Sequence, residues 1–111
     1  PYLERLLATG ASLGFDLFGF DHSLLGVGRW PPEDRAVVAT VARLVRVGHG
    51  ERLLLSGDVG VRTRLRAHGG WGYTHLQRHV VPLLRGAGVS ETELETLLVA
   101  NPRRLLTVDG W

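Results

Sequence analysis

The stretch Arg52-Leu53-Leu54-Leu55-Ser56-Gly57-Asp58-Val59 sets the tightest limit on the fold: consecutive leucines, two small residues, then a lone carboxylate. Leucines without polar alternation mark a strand covered on both faces, as in parallel sheets. Carboxylates are rarely buried alone, because stripping water from an isolated charge costs many kcal/mol. An Asp at the C-terminal edge of such a strand therefore points to a metal, a cation or a substrate. In parallel α/β proteins that edge is where sites are built. A plainer reading stands beside it, since Asp commonly caps the following turn through its own side chain.

The segments around this run fit one scheme. Pro1 to Ala8 has helical spacing, with Pro tolerated in a first turn, and Gly10 stops it. Ala11 to Leu17 reads as a second short buried strand, again closing on an acid, Asp16. A Gly-rich loop over Phe18 to Pro32 leads into a helix from about Glu33 to Val47. Its residues Val37, Val38, Val41, Leu44 and Val45 make one apolar face at i, i+3, i+4 spacing. Gly48-His49-Gly50 ends it, and the leucine strand follows closely. Strand, loop, helix and strand with short connections make a βαβ unit, which requires the two strands to run parallel.

Past Asp58, the pattern predicts a helix over Tyr73 to Leu84, with Pro82 near its end and Gly86 and Gly88 breaking it. Ser90-Glu91-Thr92-Glu93 has the form of a capping box and starts a helix to about Val99. Asn101-Pro102 then reads as the cap of a final short helix, Arg103 to Leu106. Two strands alone do not make a stable parallel sheet, which needs neighbours and helices on both faces. The expected parent is a larger parallel α/β domain of which this is one end.

Composition narrows the function classes. The chain has 111 residues, starts at Pro1 and contains no Met, so it is expected to be a piece of a longer polypeptide. Its 44% hydrophobic and 22% charged residues are a globular balance. Without Cys there is no disulfide framework and no thiolate metal site, which fits a cytoplasmic setting. No apolar run approaches the roughly 20 residues of a membrane span, and no signal peptide is visible. The net charge is only +2 although the pI is near 9.9, because every basic residue is Arg. Those Arg residues are spread along the chain with Glu and Asp interleaved and are not collected in a stripe, which argues against nucleic-acid binding.

Other suggestive motifs are weak. His75 and His79 stand at i, i+4, but no third ligand accompanies them or His68, so a separate zinc site is not expected. His75 is expected to satisfy a hydrogen bond near Tyr73, and His79 to lie on the surface. Gly69-Gly70-Trp71-Gly72 lacks the Lys of a phosphate-binding loop and follows no strand directly. It reads as a loop permitting close packing, with Trp71 at a pocket rim. Gly26 and Gly28 do not extend to a dinucleotide fingerprint, and Ser56 lacks the flanking glycines of a nucleophile elbow.

Taken in order, Leu-Leu-Leu-Ser-Gly-Asp-Val, His-Gly-Gly-Trp-Gly-Tyr-Thr-His, Val-Val-Pro-Leu-Leu, Gly-Val-Ser and Asn-Pro-Arg-Arg-Leu-Leu form a pattern. It resembles the C-terminal third of the phosphotriesterase family, within the amidohydrolase superfamily of metal-dependent hydrolases. The match runs from about Gly10 to Leu106. The resemblance implies an α/β fold, the C-terminal part of a (β/α)8 TIM barrel. Residues 1–111 would then supply about strands seven (Leu13 to Leu17) and eight (Leu53 to Ser56) with their flanking helices.

The resemblance also implies a binuclear metal site, usually zinc, with cobalt or manganese as substitutes. Asp58 would ligate one metal and take the proton of the attacking water or hydroxide, being both metal ligand and catalytic residue. Asp16 would border the substrate pocket, or else pair with Arg29 or Arg35 and fix the loop. Leu17, His22 and Trp30, with Trp71, would stand where barrel loops shape the pocket. The remaining ligands, histidines and a carboxylated lysine, belong to strands outside this chain. Gly57 and Leu17 depart from the polar residues common at these positions in the family, which counts against efficient organophosphate turnover.

The expected function is therefore hydrolysis of a small-molecule ester, lactone or phosphotriester in the intact protein. No nucleic-acid or membrane partner is expected, and a homodimer is compatible with the whole barrel. The alternative is a truncated, non-catalytic fragment or interaction module.

Overall fold

The computed structural model describes residues 2–20 and 33–107. A first helix, α1 (Tyr2–Ala8), turns its buried Leu7 inward. It ends where Gly10 adopts a φ of 91°, a conformation that L side chains rarely hold. Strand β1 (Leu13–Phe18) follows, then helix α2 (Asp34–Leu44) and strand β2 (Leu53–Gly57). The two strands pair in parallel, as the short βαβ spacing requires.

The valine face of α2 lies as its spacing predicts: Val38, Val41, Leu44 and Val45 are buried and Val37 packs against them. Beyond Leu44 the backbone widens into a π turn over Val45–His49, within which Gly48 at φ 91° breaks the helical run. Register sets Leu13 beside Leu53 and Phe15 beside Leu55, so these four side chains share the helix-covered face. Leu53, Leu44, Leu84 and Leu97 are fully buried between that face and the helices. Each buried side chain of this size stabilises the fold by roughly 1.5–3 kcal/mol. The opposite sheet face carries Gly14, Asp16 and Ser56, all exposed, and half-buried Leu54. Nothing among the described residues covers it, so the strands are shielded on one side and not on both.

The second half differs from the sequence expectation in one instructive way. A π turn over Leu76–Val80 runs into α3 (Val81–Gly86), and α4 (Glu91–Glu95) runs through another, Thr96–Ala100, into α5 (Asn101–Leu106). Each π turn ends two residues before a proline, Pro82 or Pro102. A proline inside a helix has no N–H to donate and its ring clashes with the carbonyl four residues back. A widened turn relieves both problems, so the helix runs on through Pro82, as read, and also through Pro102, where the sequence suggested a new start. Asn101 is accordingly no helix cap: its φ and ψ are −66° and −51° and its side chain caps nothing. It is buried, and its Nδ2 donates to the carbonyls of Gly50 (2.8 Å) and Leu53 (2.7 Å), fastening α5 to the start of β2.

The Ser90 capping box forms as read. Ser90 Oγ accepts from the Glu93 N–H at 3.3 Å, and Glu93 Oε2 accepts from the Ser90 N–H at 2.8 Å. Among the described residues no helix is long and apolar enough to cross a membrane.

Candidate functional site

The C-terminal ends of the two parallel strands define the region of interest. Alternation along β2 puts Leu53, Leu55 and Gly57 toward the helices and Leu54 and Ser56 on the open face. Continued one residue, it brings Asp58 to the open face too. Asp58 is exposed, and its carboxylate has no hydrogen-bond or ion-pair partner among the described residues. The turn-capping alternative leaves no trace, since no amide of the following turn donates to that carboxylate. Its Oδ1 instead lies over Gly60, where an added Cβ would come within 3.2 Å.

On β1 the register slips between Phe15 and Phe18: Phe15 faces Leu55 but Phe18 faces Gly57, so one extra residue is accommodated. Asp16 and Leu17 occupy this bulge. A bulge re-aims side chains locally, and here it returns Phe18 to the core, where it is 3% exposed. Asp16 shares the open face with Gly14 and makes no ion pair with Arg35; Arg29 lies outside the described residues. Asp16 and Leu17 line an apolar cleft of about 340 Å³ with Leu3, Phe15 and Val37. The candidates His22 and Trp30 lie outside the described residues.

Trp71 borders a different cleft, of about 300 Å³, with Phe18, Thr63, Arg64, His68 and His75. It is half-exposed at the rim. The structure therefore sets Trp71 and Asp16 along separate clefts. The glycines beside Trp71 serve close packing as expected: a Cβ on Gly70 would lie 2.2 Å from the backbone of Arg64. The rings of Trp71, His75 and His79 stack at centroid distances of 4.9–5.1 Å. His79 is exposed, while His75 is buried and bonds Asp34 Oδ2 through Nε2 at 2.6 Å. Its partner is thus the first residue of α2, across the fold, and not a neighbour of Tyr73. His75 Nδ1 is buried with no partner among the described residues.

Sequence reasoning missed the residue that joins the two strand ends. Arg64 is buried at 8% exposure and donates to the backbone carbonyls of Asp58 and Gly19, the latter at 3.4 Å. Its guanidinium lies 3.6 Å from the centre of the Phe20 ring. Arg64 sits in the run Arg62-Thr63-Arg64-Leu65-Arg66, where nothing in the pattern distinguishes it from its two exposed neighbours. Asp34 was equally hidden, since an acid in a first helical turn is ordinary. Among the described residues no group of three or more His, Asp or Glu is arranged to hold a metal ion. Asp58 and Asp16 supply hard oxygen donors with no ion-pair partner among the described residues, so they fit part of a metal site and not a whole one.

Comparison with known proteins gives a consistent result. The model of the phosphotriesterase family matches residues 1–106. The N-acetyltaurine hydrolase of Homo sapiens is 37% identical over 107 residues, covering 95% of this chain and 31% of that protein. The phosphotriesterase homology protein of Mycobacterium tuberculosis (strain ATCC 25618 / H37Rv) is 37% identical over 116 residues, covering 98% of this chain and 33% of its own length. Among solved structures, a resiniferatoxin-binding protein from Rhodobacter sphaeroides superimposes with a TM-score of 0.85 at 40% identity, over 94% of this chain and 29% of that one. The chain spans about a third of the length of the curated relatives it matches.

Proposed function

Because the chain belongs to the phosphotriesterase family, whose members are hydrolases built on TIM barrels, we propose that it is the C-terminal part of a metal-dependent hydrolase centred on Asp58. β1 and β2 are then strands seven and eight of the barrel, and the open sheet face is the barrel interior. The observation that carries this reading is the position of Asp58: a carboxylate with no partner among the described residues, just past the C-terminal end of a parallel strand. That is the rim on which TIM-barrel enzymes assemble their chemistry.

Asp58 would hold one of two divalent metal ions, zinc by preference, with the remaining ligands supplied from elsewhere in the barrel. Bound metal of this kind supplies Lewis acidity and an acidified water. Asp58 itself would accept the proton that the attacking water releases. Asp16, on the same sheet face, borders the substrate, while the half-exposed Trp71 edges the separate cleft formed by the loop after β2. Leu17 offers substrate an apolar contact and no proton relay.

The substrate class is a small molecule with a hydrolysable acyl or phosphoryl bond. Relatives named as N-acetyltaurine hydrolases direct attention to amides as well as to the esters, lactones and phosphotriesters that the resemblance suggests. The intact enzyme is assigned to the cytoplasm, with a homodimer as the form to test.

The deciding experiment uses the full-length polypeptide reconstituted with zinc or cobalt. It is assayed on N-acetyltaurine, a γ-lactone, p-nitrophenyl acetate and paraoxon. Asp58→Asn should lower turnover of whichever substrate is accepted by about 10²- to 10⁴-fold, the usual contribution of a positioned acid–base group. A variant as active as the parent removes Asp58 from the mechanism.

A further inference from the structure

Arg64 is the buried cation of the strand-end region, and it has no carboxylate partner among the described residues. Burying a guanidinium without a counter-ion is costly; an aliphatic side chain could fill the same volume without that cost. Its donors go instead to two backbone carbonyls, one just past each strand: Gly19 after β1 and Asp58 after β2. The Phe20 ring supports the guanidinium from one face.

The Gly19 end of this bridge is itself immobilised. The Gly19 N–H donates to Asp34 Oδ1 at 3.0 Å, and His75 Nε2 bonds the other oxygen of the same carboxylate at 2.6 Å. Gly19 holds a φ of 76°, and a Cβ there would meet the His75 ring at 2.8 Å; the residue is held at its N–H by Asp34 and at its C=O by Arg64. One end of the Arg64 fork is thus a fixed point, and the other end holds the carbonyl of the candidate acid.

We propose that Arg64 is a positioning residue for Asp58: it ties the Asp58 carbonyl to the anchored Gly19 peptide and so fixes the direction of the Asp58 side chain. The inference rests on the assignment of Asp58 made above. A planar fork with several donors can span two carbonyls, whereas an ammonium offers a point charge on a flexible stem. Lysine should therefore keep the charge and lose the placement.

The test uses the full-length polypeptide with zinc, comparing Arg64→Lys and Arg64→Gln with the parent. Zinc affinity is read by chelator competition, and turnover is read on p-nitrophenyl acetate. Zinc affinity or kcat should fall about 10- to 100-fold in Arg64→Lys, the range for groups that orient a metal ligand. KM should stay within about threefold, and the thermal midpoint should change little. Unchanged zinc affinity and kcat in Arg64→Lys overturn the proposal. So does a loss that merely tracks the unfolded fraction, or failure of both variants to fold, since either would make Arg64 a residue of global stability. An Asp58→Asn variant with full zinc affinity and activity removes the assignment on which the proposal rests, whatever the Arg64 variants do.

Discussion

Replacing Asn101 with Ala isolates the tie between the last helix and the sheet. The native side chain is 3% exposed and gives both Nδ2 protons to backbone carbonyls, Gly50 at 2.8 Å and Leu53 at 2.7 Å. The bond to Leu53 is buried, and an acceptor left there without a donor costs about 1–3 kcal/mol. The Gly50 bond is only part-buried, so water can replace the lost donor and the loss is nearer 1 kcal/mol. Together these give a destabilisation of about 2–4 kcal/mol. Asn101→Asp removes the same donors and sets a carboxylate oxygen against two carbonyl oxygens, while keeping the oxygen that accepts from Arg104 at 3.1 Å, so it should also destabilise. Urea unfolding of the full-length polypeptide, with the slope m held common to parent and variants, measures the difference. A shift below about 0.5 kcal/mol for Asn101→Ala, the level of an ordinary surface substitution, would refute the reasoning.

Two further substitutions probe the framework. Gly70→Ala drives a Cβ to 2.2 Å from the backbone of Arg64, which cannot move aside as a side chain could, and should destabilise by about 1–3 kcal/mol or more. Gly86→Ala, at the end of α3 with nothing within 4 Å of its Cβ, should be neutral or stabilising in the same urea titration. Glu93 supplies the pH dependence. Its hydrogen bonds from the backbone N–H and then the hydroxyl of Ser90 hold its carboxyl below the ordinary range. A depressed folded-state value stabilises above the unfolded value, and that contribution disappears as pH falls through the folded one. The stability gap between the parent and Glu93→Gln should therefore be largest near neutrality and shrink on acidification; a gap that widens in acid would contradict it.

Much of the scaffold can be read directly from residue order. Unbroken leucines at 53 to 55 marked the strand, although they read as covered on both faces and the described residues cover one; the valines of α2 declared a buried face, and the short links between them left only parallel pairing. The Ser90 box is equally local, each bond joining residues three apart. What escaped reading depends on distance or on helix type. Asn101-Pro102 carries the letters of a helix start, yet the π turn over Thr96–Ala100 admits the proline and carries the helix on. Periodicity arguments assume a constant 3.6 residues per turn, so a widened turn is invisible to them. At the candidate site, Asp58 announced itself because it follows a strand. Arg64, Asp34 and His75 meet through contacts tens of residues apart, with Asp34 and His75 separated by 41 positions. Each has an unremarkable local setting, so only the folded chain reveals the network.

The tie at Asn101 and the fork of Arg64 grip opposite ends of the same short strand. Between Leu53 and Gly57 the backbone advances only about 13 Å, yet one end is governed by a terminal helix and the other by loop residues. Variation introduced beyond Gly57 is thereby insulated from the fastening at Leu53. A library that diversifies the segment after β2 while sparing Asp58, Arg64 and Gly70 would leave the chain's grip on its own last helix untouched.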